Sequence, residues 1–345
     1  MDHLQVLRRA WDILWSYRAL WIFGIVLALT TASAGTEFTS TSTGGGSSDW
    51  PTDSEMESIE IPPEIEAWVD QVGVEQLIQA AVGIGITLAC IVIVLVVVFS
   101  IARFVAETSL IKMVDRYEET GEPLSIRQGL RLGWSREAWR IFLVELLTAL
   151  PVMALVIIPA VSFVVMIVSL SMQGDLIVPA IVAGVLGFLL FVLIAVIAGV
   201  VLTLLKQFVW REVVLNEQPV GPAFRTGYTL VKAHLKDVGL MWLVLVGVNI
   251  VWQIALVPVT IIVVLVGIIV ALLIFLMVGS VSGVFAPVGV NWLIGGVTAV
   301  LVFIPLVIFA LVIVQGFFEV YVSSVWTLTY RELNALNGRN VEPLV

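Results

Sequence analysis

LIVPAIVAGVLGFLLFVLIAVIAGVVLTLL, residues 176–205, runs between Asp175 and Lys206 without one charged side chain. As a helix, a segment of about 30 residues rises about 45 Å, enough to cross roughly 30 Å of hydrocarbon with some tilt. Its apolar residues cover every face, so no side is left for water. Hydrocarbon offers the peptide groups no partner, which leaves a helix as the conformation that satisfies them within the segment. Similar runs occur at 76–102, 141–170, 238–278 and 292–318, and a shorter one at 19–35. With 60% hydrophobic and 12% charged residues, and a mean hydropathy of +1.10, a water-soluble fold is excluded. The predicted class is an all-α polytopic membrane protein with six transmembrane helices.

Orientation follows from where the charges fall. Between Arg18 and Arg103 there is no Lys or Arg, whereas ten acids lie between Glu37 and Glu75. Six crossings of a plasma membrane place all seventeen basic residues on one side, with both termini cytoplasmic and the acidic loop 35–75 outside. The net charge of −9 sums two faces of a membrane, so it identifies no partner, and nothing points to nucleic acid. Cys90 is the only cysteine, which rules out an intrachain disulfide. The first run, followed by Ala32-Ser33-Ala34, has the form of a secretory signal. A retained helix is favoured, because the Trp-rich segment before it matches later parts of the chain.

That match is an internal repeat. Ala10 to Phe23 aligns without gaps to Gly129 to Phe142, with Trp-Ser, Ala and Ile-Phe coinciding. A weaker third copy runs from Gly227 to Leu240. The units predicted are 1–102, 103–205 and 206–335, followed by a short tail, 336–345. Each is an interfacial amphipathic helix followed by a transmembrane hairpin. Phe224, Tyr228, Val231 and Leu235 form one apolar stripe, with Arg225, Thr229, Lys232 and Lys236 beside it; Leu4, Leu7, Trp11 and Leu14 form another. Such helices lie at the membrane surface, where Arg127, Arg131, Arg225, Lys232 and Lys236 would meet anionic headgroups. The loop between the first two spans is Thr-, Ser- and Gly-rich over 36–53 and is expected to be flexible. Its acids lack the spacing of a calcium loop.

Polar groups inside the apolar runs are the functional suspects. Asn249 and Gln253 stand one turn apart in the fifth run, Gln315 and Glu319 one turn apart in the sixth, and Glu145 just inside the third. They could line a polar path, or serve as interhelical hydrogen bonds, with Glu145 and Glu319 paired to Arg140 or Arg103. Pro151, Pro159 and Pro258 would kink their helices, and Gly83, Gly85, Gly184 and Gly187 would allow close helix approach. The fifth run overshoots one span, so either helices five and six project beyond the bilayer or 267–290 folds back.

No zinc, phosphate-loop or nucleophile-elbow motif is present, the only histidines are His3 and His234, and no cofactor is implied. The stretch from Phe208 through Val213-Val214-Leu215-Asn216-Glu217 to Lys232 resembles the membrane domain attached to some glycerophosphodiester phosphodiesterases, and related uncharacterised bacterial membrane families. The catalytic barrel of those enzymes is absent, so the resemblance implies an architecture rather than a reaction. The expected role is a non-enzymatic scaffold or accessory subunit, with a protein partner or a second copy. The alternative is a small transporter or channel using the polar residues above.

Overall fold

The computed structural model describes residues 2–34, 74–171, 177–283 and 290–341. Nearly all of the acidic loop, with the flexibility and calcium readings attached to it, lies outside the described residues. Those residues form helices and no strand: α1 His3–Ser16, α2 Ala19–Ala34, α3 Val74–Thr120, α4 Ile126–Gly133, α5 Arg136–Ser171, α6 Ile177–Leu215, α7 Val220–Ala233, α8 Leu235–Ser282 and α9 Val290–Val341. Helices α3, α5, α6, α8 and α9 contain segments long and apolar enough to cross a membrane, and the bent α1–α2 pair raises the number from five to six. The chain is a multi-pass, all-helical membrane protein.

Residues 30–102 form one compact unit, and residues 1–29 with 103–345 form the other. In the smaller unit, α3 exposes Ile86, Val92 and Val96, and Cys90 is a free, exposed thiol. In the larger unit two antiparallel hairpins stand out. Phe163 of α5 meets Phe188 of α6 with ring centroids 5.0 Å apart, and Trp252 of α8 stacks on Phe318 of α9 at 5.3 Å. At the far end of the second hairpin, Ser282 Oγ donates to the Asn291 carbonyl at 3.1 Å, and Asn291 Nδ2 donates to the Gly279 carbonyl at 3.3 Å. Helix α8 therefore runs unbroken to Ser282 before the chain returns, and residues 267–282 do not fold back.

Helix α8 has 48 residues, which at 1.5 Å each makes it about 72 Å long, more than twice the hydrocarbon thickness. Along it, Val238, Met241 and Leu245 are buried at the charge-bearing end, and Gly267 and Gly279 toward the other. In α3, the section from Arg103 to Thr120, beyond the apolar run 76–102, continues the helix, and it buries Ala106, Leu110, Met113 and Val114. Hence the charge-bearing ends of the long helices build a core with α1, α4 and α7. By contrast, none of the most apolar stretch of α3 or α6 is buried, and only 6%, 11% and 19% of that of α8, α9 and α5.

The short helices are fixed by caps and small residues. Asp2 accepts from the Gln5 N–H to start α1, and Ser125 with Gln128 closes a reciprocal capping box on α4. Gly129 and Gly133 bring α4 onto α3 tightly enough for Ser109 Oγ to donate to the Gly129 carbonyl at 3.0 Å. Gly227 seats α7 against Val209 of α6, and Ala10 is fully buried in α1.

A bend of 102° separates α1 from α2. Tyr17 holds this elbow: its hydroxyl donates to the Leu124 carbonyl at 2.9 Å and accepts from the Leu124 N–H at 2.7 Å. Burial pushes its phenol up to about 12. Tyr17→Phe leaves the Leu124 amide without that partner and is expected to cost about 1–2 kcal/mol. Thermal unfolding of the purified protein in mild detergent measures it, and an unchanged midpoint would show that the tie does not hold the elbow.

Candidate functional site

The densest set of buried polar groups lies where α3, α6 and α9 meet, just past the apolar runs at the charge-bearing end. Phe208, Val209, Val213 and Val214 bury the α6 strip, and this register draws Arg211 and Glu212 inward with them. Arg211 is fully buried. Its Nη1 donates to the Gln207 carbonyl at 2.7 Å and to Gln207 Oε1 at 2.9 Å, while Nη2 donates to the Ser323 carbonyl of α9 at 3.1 Å. Ser323 Oγ then donates to Glu107 of α3 at 3.2 Å, and Glu107 is 6% exposed. Arg211 and Glu107 attract each other across Ser323, so one guanidinium and one carboxylate join three helices.

Just past the end of α6, Asn216 Nδ2 donates to Glu212 at 2.7 Å and to the Tyr330 hydroxyl of α9 at 2.8 Å. Around this interior run ion pairs that make the charged section of α3 a hub. Lys112 pairs with Glu137 of α5 at 3.1 Å, Glu118 with Arg9 of α1 at 2.8 Å, and Asp115 with Arg331 of α9. Arg140 Nη1 donates to the Glu217 carbonyl at 2.6 Å. Glu217 has a φ of 52°, a left-handed conformation that is strained for a side chain with a Cβ, and this hydrogen bond helps hold it.

The residues singled out in the sequence are distributed differently. Glu145 is partly buried and pairs with Lys206 at 3.3 Å. Lys206 also lies 4.9 Å from the centre of the Trp210 ring. Gln253 is exposed on α8 and its Nε2 donates to Asn249 Oδ1 at 3.4 Å. Asn249, Gln315 and Glu319 are half-buried. Of the span glycines, Gly184 faces Met166 closely, whereas Gly83, Gly85 and Gly187 have open space beside them. His3 Nε2 lies 3.3 Å from the Asp237 carbonyl, and His234 Nδ1 lies 4.0 Å from the Asp237 carboxylate. Among the described residues no three His, Cys, Asp or Glu side chains are grouped to hold a metal.

Arg127 and Arg131 on α4, Arg225 and Lys232 on α7, and Lys236 at the start of α8 are exposed. Apolar side chains beside them are exposed too. On α4 and its C-cap these are Ile126, Leu130 and Trp134; on α7 and the start of α8 they are Tyr228 and Leu235. On α1, Leu4, Trp11 and Trp15 are exposed, while Val6, Ala10, Ile13 and Leu14 face the core. The stripe read from the sequence is thus divided: Leu14 packs inward, and Leu4 and Trp11 do not.

Fold and site define a multi-pass helical membrane protein whose interior polar groups are tied to one another at one end of the bundle. The chain belongs to a family of unknown function, DUF7544, which matches residues 7–336. No curated protein and no solved structure matches it.

Proposed function

We propose that this protein is a non-catalytic membrane scaffold, an accessory subunit that holds a protein partner or a second copy against its apolar helices. In this reading it crosses the plasma membrane six times, with both termini and the short helices in the cytoplasm and the loop 35–75 outside. The three-unit organisation belongs to the same reading. Ala10, Gly129 and Gly227 occupy equivalent repeat positions and are all buried, and each is followed by an exposed Trp11, Leu130 or Tyr228. The likeness to the membrane domain of glycerophosphodiester phosphodiesterases remains part of the proposal, as an architecture.

One observation carries the reading. The buried Arg211, Ser323 and Glu107 are spent on joining α6, α9 and α3, while the membrane-length surfaces are left largely unburied. A transporter path through Glu145, Asn249, Gln253, Gln315 and Glu319 is less favoured, since Glu145 is engaged by Lys206 and Gln253 is exposed on α8.

The test is photo-crosslinking in native membranes from probes at Leu189, Ile262 and Leu301, which are 57%, 61% and 67% exposed. The expected result is an adduct of one discrete protein mass from at least one of these faces. Adducts with lipid alone from all three would sink the scaffold reading.

A further inference from the structure

We infer that α1, α4 and α7 are seated in the leaflet at the charge-bearing end, and that α4 and α7 bind the headgroups of anionic phospholipids there. This goes beyond the scaffold reading and holds whether or not a protein partner exists.

The three helices share a design. Each buries a small or apolar face on the bundle, through Ala10 and Ile13, through Gly129 and Gly133, and through Ala223, Gly227 and Leu230. Packing therefore occupies that face and leaves a second apolar stripe outward. On α4 and its C-cap, Ile126, Leu130 and Trp134 are 44%, 52% and 71% exposed at four-residue spacing. Arg127 and Arg131 follow one residue behind, which rotates the cations about 100° to the same side of the stripe. On α7, Phe224 and Val231 pack toward the core, and the exposed apolar side chains are Tyr228 and, at the start of α8, Leu235, with Arg225, Lys232 and Lys236 exposed beside them. Neither α4 nor α7 contains an acidic residue.

Three arguments select a lipid leaflet as the occupant. First, the stripes continue into membrane surface. Two residues separate Gly133 from α5, which exposes Trp139, Leu143 and Leu146, and one residue separates Ala233 from α8, which exposes Leu240 and Leu243. Second, the 102° bend turns α1 across the direction of α2, as a helix lying in the interface requires. Third, the side chains follow the polarity of a leaflet edge. Aliphatic groups suit the acyl region, Trp and Tyr the headgroup boundary, and Arg and Lys the phosphates.

The experiment uses the full chain in nanodiscs of equimolar phosphatidylcholine and phosphatidylglycerol, with retained lipids counted by mass spectrometry after a delipidating wash. Phosphatidylglycerol is expected to be enriched. Arg127→Gln with Arg131→Gln, and separately Arg225→Gln with Lys232→Gln, should cut the enrichment about fivefold per position at low salt. These side chains are exposed, and circular dichroism checks the helix content of each variant. A second arm places an environment-sensitive dye at Leu130→Cys in a Cys90→Ser background. Quenching by a lipid-borne nitroxide, and not by an aqueous one, is the expected result. Equal retention of both lipids, enrichment that both variant pairs leave intact, or quenching only from water would each overturn the inference.

Discussion

Arg211→Met is expected to lower the stability of the purified protein by about 3–5 kcal/mol, the range for removing one partner of a buried ion pair. The reason lies in what is left behind. Glu107, 6% exposed, would keep its hydrogen bond from Ser323 and lose the guanidinium that offsets its charge. The carbonyl of Ser323 would lose its donor from Arg211 as well. Glu107→Leu alone should cost a comparable amount, because it strands Arg211. The double variant decides the matter: with both charges gone, its loss should be smaller than the sum of the two single losses by at least about 2 kcal/mol. Thermal unfolding followed by the fluorescence of the 12 tryptophans gives all three values. Strictly additive losses would mean that Arg211 and Glu107 act independently, and the polar junction of α3, α6 and α9 would not be a unit.

This junction was the part of the molecule least legible beforehand. Hydropathy isolates runs that lack charge, so it finds Glu145 and Gln315 within those runs and passes over Arg211, which sits six residues beyond one. What places Arg211 inside is the continuation of α6 through Phe208, Val209, Val213 and Val214, all buried, so that the helix carries its charge into a core. That signal was present in the resemblance stretch, as Trp210-Arg211-Glu212 between apolar residues, but a lone sequence does not distinguish a buried Arg from one at the headgroup level. The α3 section carries a signal of the same kind: Ala106, Leu110, Met113 and Tyr117 recur at helical spacing among charges that hydropathy alone passes over. On α7 a 3.6-residue period finds the cations Arg225 and Lys232, which are exposed, but the apolar stripe read beside them divides: Phe224 and Val231 pack on the core while Tyr228 stays out. Which of two apolar stripes on α1 packs inward could not be read, since it depends on Ala10 meeting the bundle.

The second large effect is expected at the crossing of α2 and α9. A Cβ on Gly316 would sit 2.7 Å from the Ile25 nitrogen and 2.8 Å from its Cα, and a Cβ on Gly24 would run into the Gly316 carbonyl and Val320. The obstructing atoms are largely backbone, so no rotamer change relieves them and the two helices have to separate. Separation would also open the contact of Trp21 with Phe317, whose ring centroids are 4.9 Å apart, and expose Leu20 and Phe23, which are buried. Gly316→Val is therefore expected to cost about 3 kcal/mol, the upper part of the overpacking range with an aromatic contact added. Gly187→Ala is the contrasting case, because nothing lies within 4 Å of its Cβ position. That substitution should be neutral or stabilising by up to about 1 kcal/mol through helix propensity. Gly24→Leu then separates two fates of the first crossing. If α2 is retained and packed, this variant should lose as much stability as Gly316→Val. Were the chain cleaved after Ala34, the mature protein would not contain position 24, and Gly24→Leu would leave its unfolding midpoint unchanged.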